Sequence, residues 1–294
     1  MATIIDAHQH FWTYGTYQTS WMEKPPYAGD PAFEPLRRAF TPADLEPLLH
    51  AAGVHRTVVI QAADGPDENA ALLRYAQAHE WIAGVVGWVP LDRPDEAVRT
   101  LDALAGEPRF VGVRHLINVE PNPDWIVRKP VLESLALLAE RDLCFDLVAI
   151  LPRHLEHVPA IAAAVPGLRL IIDHLGKPPI AAREWEPWAS LITRAADAPN
   201  VFAKVSGLDT AARAGWTADD LSRYVDHALA AFGAERLMWG SDWPVSILGG
   251  GYAHVWQEMN RLFARFSPLE CDQLLRLTAT RVYRLEEVED RTSG

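Results

Sequence analysis

Only two cysteines, Cys144 and Cys271, occur in 294 residues. One sits in an apolar strand-like run and the other in a late helical pattern, so no disulfide framework holds this chain. No apolar run reaches the roughly 18 residues that a bilayer-crossing helix needs. Basic residues are the minority: 27 Lys and Arg against 39 Asp and Glu leave a formal charge of −12. Without a basic stripe to offset it, that charge argues against nucleic acid and anionic membrane surfaces as partners. The first apolar run begins almost at Met1, leaving no room for a signal peptide, and a cytoplasmic protein is the expectation. A Gly-x-Gly phosphate turn is also missing. After the first strand the chain reads His8-Gln9-His10, and Gly249-Gly250-Gly251 follows the last strand without that fingerprint.

What the chain does have at its start is Ile4-Ile5-Asp6-Ala7-His8-Gln9-His10-Phe11-Trp12. Alternate residues of a strand share a side, so His8 and His10 would project together from a strand end, as two ligands of one metal do. The plainer alternative is a pair of hydrogen-bonded imidazoles. Beyond them, 13–40 carries Tyr14, Tyr17, Trp21, Pro25, Pro26 and Tyr27 without periodicity, too aromatic for a linker, and reads as a lid over a cleft.

The remainder alternates strands and helices. Helix one opens at Thr41-Pro42-Ala43-Asp44 and closes at Gly53. Further strands are expected over 57–61, 82–89, 110–115, 143–150, 168–174, 201–206 and 236–242. Helices are expected over 67–79, 94–104, 131–141, 154–164, 184–197 and 218–232, with 253–265 and 268–277 closing the fold. Eight strands, each followed by a helix, predict a single-domain α/β (β/α)8 TIM barrel over 1–294. The lid-like loop spans 11–40 and the C-terminal helices lie within 253–285. A doubly wound open sheet is the runner-up.

Active sites in such barrels are built at the C-terminal strand ends. Here those ends carry His8, His10, Gln61, Trp88, Arg114, His115, Asp146, His174, Lys204 and Asp242. His8, His10, His174 and Asp242 make a coherent set for one zinc-like divalent ion with a position left for water, beside a carboxylate able to take a proton.

Five stretches then resemble one family in order and spacing: Asp6-Ala7-His8-Gln9-His10-Phe11-Trp12, Gly112-Val113-Arg114-His115, Asp173-His174-Leu175-Gly176-Lys177-Pro178, Lys204-Val205-Ser206-Gly207 and Met238-Trp239-Gly240-Ser241-Asp242-Trp243-Pro244. The chain resembles the amidohydrolase superfamily, in its amidohydrolase-2 branch of sugar and aromatic lactonases of the L-fuconolactonase and L-rhamnonolactonase type. The resemblance implies a hydrolase in which His8, His10 and His174 line the metal or carbonyl site and Asp242 activates water. It also implies an ion that some members hold weakly or dispense with. Two departures stand out. Strand four ends in Arg114-His115 rather than a bridging lysine, which argues for one metal at most. The closing motif reads Thr278-Ala279-Thr280-Arg281-Val282-Tyr283, without the usual Asn, and puts only a structural contact in question.

The expected reaction is hydrolysis of a sugar (aldono) lactone, with Asp242 and His174 catalytic. Lys204, Arg114 or His115 would serve the oxyanion, Trp12, Trp21 and Trp243 the sugar ring, and Gln61 further binding. Arg114 is the only arginine placed at a strand end, with Arg153 and Arg213 in following loops, so a neutral hydroxyl-rich lactone fits better than a dicarboxylate. Lys177 and His254 read as structural or rim residues. Alternatives are a metal-dependent decarboxylase, an aromatic or pyrone lactone hydrolase, and a non-catalytic sugar-binding barrel.

Overall fold

The computed structural model describes residues 3–24 and 27–286, so Pro25 and Pro26 of the aromatic segment lie outside the described residues. Eight parallel strands pair in sequential order: β1 (Ile5–Gln9), β2 (Arg56–Ile60), β3 (Ile82–Gly87), β4 (Phe110–His115), β5 (Cys144–Leu147), β6 (Arg169–Ile172), β7 (Val201–Val205) and β8 (Leu237–Trp239). Between and after them run α1 (Pro42–Ala52), α2 (Pro66–Ala78), α3 (Pro94–Leu104), α4 (Lys129–Glu140), α5 (Pro152–Ala164), α6 (Trp188–Ala196), α7 (Ala218–Phe232) and α8 (Tyr252–Phe263). The far edge returns to β1: the Asp242 amide donates to the His8 carbonyl at 2.8 Å and the His10 amide to the Trp243 carbonyl at 2.7 Å. This is the expected (β/α)8 barrel. An open doubly wound sheet is excluded, because its strand order would reverse at a switch point.

Local chemistry starts and stops the elements. Proline opens α1, α2, α3 and α5, where its missing N–H costs nothing. The Asp44 carboxylate accepts from the Thr41 amide at 2.9 Å and its hydroxyl at 2.8 Å, and Gly53 ends α1 at φ +67°. Three expected boundaries need correction. β6 and β8 stop short of His174 and Asp242, both of which take φ +55° and leave the ladder. The helix expected from 184 begins at Trp188, since a residue preceding proline disfavours the helical region and Pro187 occupies the cap. The last helical stretch is α9 (Pro268–Asp272), a π-turn (Gln273–Leu277) and α10 (Thr278–Val282).

Two apolar cores result. One lies between strands and helices. The other fills the lumen with Ile5, Ala7, Val58, Ile60, Val86, Cys144, Ile171 and Met238, stopped from below by Val282, Tyr283 and Leu285. The aromatic segment is folded: 3-10 turns span Tyr17–Glu23 and Pro31–Leu36, and reciprocal amide–carbonyl bonds between Trp12 and Phe40, at 3.1 and 2.9 Å, tie its ends together. Phe145 on β5 is fully buried in the outer core. Phe145→Ala is expected to destabilise the fold by about 3–5 kcal/mol in chemical denaturation. A loss under about 1 kcal/mol would mean that the strand–helix layer closes around the gap.

Candidate active and metal site

A register shift lies between Asp6 and Gln9 of β1, so Ala7 and His8 together oppose one residue of β2. The shift matters because a regular strand would put His8 on the face opposite Ile5 and Ala7, which point into the lumen. Asp6 points the other way, accepting from the Ser241 amide at 2.8 Å and the Tyr252 hydroxyl at 3.2 Å. Past the bulge, His8 joins His10 inside the mouth of the barrel, an aiming role bulges commonly have.

The metal set converges. Asp242 Oδ1 lies 3.6 Å from His8 Nε2, 3.4 Å from His10 Nε2 and 4.0 Å from His174 Nε2. His8, His10 and Asp242 bring their donor atoms within 4.8 Å of one another, and His8 groups in the same way with Asp173 and His174. Gly207 makes room for this packing: at φ +57°, a Cβ there would stand 2.6 Å from His174 Nδ1 and 2.9 Å from Asp242 Oδ2. Burial alone would raise the Asp242 pKa, but His174, His10 and His8 outweigh it and hold the carboxyl well below its usual range. Burial in turn drops His174 to about 4, so its imidazole is neutral near pH 7.

Proton placement tests whether the set fits a cation. His10 Nδ1 meets the Ile60 carbonyl at 2.9 Å. A carbonyl only accepts, so the His10 proton sits on Nδ1 and the Nε2 lone pair faces the cluster. His8 Nδ1 has two neighbours, Lys204 Nζ at 2.9 Å and Asp173 Oδ1 at 3.2 Å. With Lys204 donating, the His8 proton moves to Nε2 and bridges to His10 Nε2 at 3.1 Å. With Asp173 accepting, His8 Nε2 presents its lone pair beside His10 and Asp242. The two imidazoles and one carboxylate then suit a divalent ion. Asp173 Oδ1, buried and without a well-aligned hydrogen bond, is the group that the second arrangement satisfies.

Above the cluster opens a cavity of about 870 Å³ lined by His10, Trp12, Trp21, Tyr27, Phe33, Arg114, His174, Lys177, Asp209, Arg213, Trp216, Asp242 and His254, among others. Trp12, Trp21 and Arg114 therefore stand where a substrate can touch them. Four expected substrate contacts need correction, since none forms part of that wall. Lys204 is fully buried below His8, held by Asp146 at 2.5 Å and Asp173 at 3.1 Å. The Gln61 amide donates to Asp64 at 2.9 Å and the Arg114 carbonyl at 3.2 Å. His115 stacks on Trp125 at 4.1 Å and bonds Glu120 at 2.9 Å. Trp243 is buried against Phe40, ring centroids 5.4 Å apart. Conversely, Lys177 and His254, read as structural or rim residues, line the cavity. Asp173 and Asp209 were missed; Asp173 could have been found beside His174 in its strand-end motif, whereas nothing in the sequence marks Asp209.

Fold and site together define the class: a (β/α)8 barrel with a buried His/Asp cluster, able to hold a divalent metal, at the C-terminal mouth. The chain belongs to the amidohydrolase family, whose model matches residues 5–285. It is 41% identical over 253 residues to L-fucono-1,5-lactonase of Burkholderia ambifaria, covering 86% of this chain and 84% of that one. It is 36% identical over 301 residues to L-fucono-1,5-lactonase of Burkholderia multivorans, covering 98% of each. The crystal structure of a Burkholderia multivorans amidohydrolase with bound zinc superposes with TM-score 0.87 at 34% identity, covering 97% of this chain and 100% of that one.

Only with Asp173 accepting from His8 Nδ1 does His8 Nε2 face the ion with a lone pair, so Asp173→Asn is expected to lower metal affinity about 10–100-fold, read as bound ion per protein after dialysis at graded free metal. Unchanged affinity would show that Lys204 alone governs His8.

Proposed function

We propose that this protein hydrolyses a neutral aldono-1,5-lactone to the sugar acid, with Asp242 as the base and zinc as the ion. The observation that carries the reading is one carboxylate oxygen beside three imidazoles, two of which, His10 and His174, line an aromatic cavity with it. The relatives named L-fucono-1,5-lactonase support the 1,5-lactone ring, and the zinc-bound neighbour supports the ion.

Held by His8, His10 and Asp242 with His174 beside them, zinc would supply a Lewis acid and bring bound water towards a pKa of about 7. Asp242, kept ionised by its imidazoles, accepts a proton from water as the water oxygen bonds the lactone carbonyl carbon. The same proton passes to the ring oxygen as the carbon–oxygen ring bond breaks, leaving a hydroxy acid. Arg114 lines the cavity with a buried Nε that has no partner among the described residues. It is the donor available to the developing oxyanion, a contribution typically worth about 3 kcal/mol. Its other nitrogens are committed to Asp173 at 3.3 Å and the Gln61 carbonyl at 2.7 Å. Trp12, Trp21, Tyr27 and Trp216 give the wall flat apolar faces on which a hydroxylated neutral ring fits.

A pH-indicator assay on a panel of lactones tests the reading: acid release on a 1,5-aldonolactone is expected, and a thermal shift without acid would leave only a binding barrel. Asp242→Asn should lower kcat by about 100-fold or more with KM little changed. A change confined to KM would make Asp242 an orienting group. Chelation should abolish activity and Zn²⁺ restore it. Activity that survives chelation yet falls in His8→Ala would assign carbonyl polarisation to the imidazoles alone.

Trp21 meets Tyr27 and Phe33 edge-on, centroids 5.2 and 6.3 Å away, in the part of the aromatic segment that walls the cavity. Trp21→Ala should raise KM for a sugar lactone about tenfold, near 1.4 kcal/mol, and affect an unsubstituted lactone much less. Equal losses on both would make Trp21 a packing residue.

A further inference from the structure

Asp209 is the one strongly buried acid of the cavity wall that this chemistry leaves unused. It opens the 3-10 turn Asp209–Ala211 after β7 and is 4% exposed. Neither carboxylate oxygen makes a well-aligned hydrogen bond among the described residues; only the backbone of Asp209 and Thr210 approaches them. Its surroundings keep it there. Lys177 Nζ ties the neighbouring backbone by donating to the Gly207 carbonyl at 3.0 Å and Thr210 Oγ1 at 2.5 Å. On the other side, a Cβ on Gly249 would stand 2.1 Å from Asp209 Oδ2, so a side chain at that position would collide with the carboxylate. Trp216 holds that glycine, its indole N–H donating to the Gly249 carbonyl at 2.7 Å.

A buried carboxyl without well-aligned partners costs stability, and Lys177 and the nearby backbone offset only part of that cost: burial and Asp242 push its pKa up to about 7. Its two oxygens together offer room for more than one hydrogen bond. Lys177 beside it argues against a cation as the missing partner, and Asp242 nearby argues against an anion. Neutral hydroxyl donors remain.

We propose that Asp209 reads the hydroxyl pattern of the substrate, each carboxylate oxygen accepting one O–H from adjacent ring carbons of the lactone. This rests on the lactonase reading above and makes Asp209 a specificity-determining residue apart from the reacting carbonyl. A site built around substrate hydroxyls rejects analogues that lack them, because its buried acceptors are then left unpaired.

The test compares the wild type, Asp209→Asn and Asp209→Ala on L-fucono-1,5-lactone, its monodeoxy analogues and δ-valerolactone, with the thermal midpoint of each protein recorded. Asp209→Asn should lower kcat/KM on the hydroxylated lactone by about 100-fold, the scale of two hydrogen bonds. The loss should vanish on δ-valerolactone and shrink on the deoxy analogues that lack a contacted hydroxyl. The thermal midpoint should hold or rise, since a buried carboxyl without well-aligned partners becomes a neutral amide. Equal loss on every lactone, no loss on the hydroxylated one, or an unfolded variant overturns the role of Asp209 while wild-type lactonase activity stands. A wild type inert towards every lactone overturns the lactonase reading itself, and this inference with it, before any variant is compared.

Discussion

Lys204 brings an ammonium into the lumen of the barrel, and the arrangement of the site depends on how that charge is met. Asp146 and Asp173 approach it from β5 and from the turn after β6, at 2.5 and 3.1 Å, and all three side chains are essentially inaccessible. Two carboxylates share one cation, so they cannot be equivalent. Burial raises Asp146 to about 6, while Lys204, His8 and Arg114 overcome burial at Asp173 and hold it well below the usual range. Removing one member of such a buried set typically costs about 3–5 kcal/mol, because the others are left uncompensated. Tyr283, from the C-terminal motif, closes the network from below, its hydroxyl 2.8 Å from Asp146. Through that contact the end of the chain supports a centre built on its first strand.

The charged layer controls the chemistry above it through one atom, His8 Nδ1. Lys204 and Asp173 compete for it, and the winner decides whether His8 Nε2 carries a proton or a lone pair. His10 has no such freedom, because the Ile60 carbonyl fixes its proton. The centre is thus half committed to binding a cation and half switchable. Backbone geometry adds a further constraint. His174 and Asp242 both adopt positive φ, a conformation that non-glycine residues avoid and that tends to persist where surrounding structure imposes it.

Polar groups in the cavity divide by height. His10, His174 and Asp242 line it just beyond the strand ends, with His8 buried beside them, where a carbonyl would sit. Asp209, Lys177 and Arg213 come from the loops, beside Trp12, Trp21, Tyr27 and Trp216. Chemistry on rigid strands and recognition on loops is the general division of labour in this fold. Under the proposed function, it would let the ring of the substrate be read without disturbing the reacting centre.

Much of this protein was legible in order along the chain. Apolar runs alternating with capped helices specified the barrel, because each element must bury its apolar face on the next. His8, His10, His174 and Asp242 were recognisable from their positions at strand ends. What the sequence by itself could not determine was depth. Lys204, Gln61, His115 and Trp243 occupy similar places in the chain to residues that line the cavity, yet each turns into the core or a side network. A strand's parity changes with a single bulge, as between Asp6 and Gln9, and a side chain's partner is chosen from strands far apart in sequence. Asp209 was invisible for the same reason: its meaning comes from Gly249 and Lys177, which only closure of the barrel brings to it.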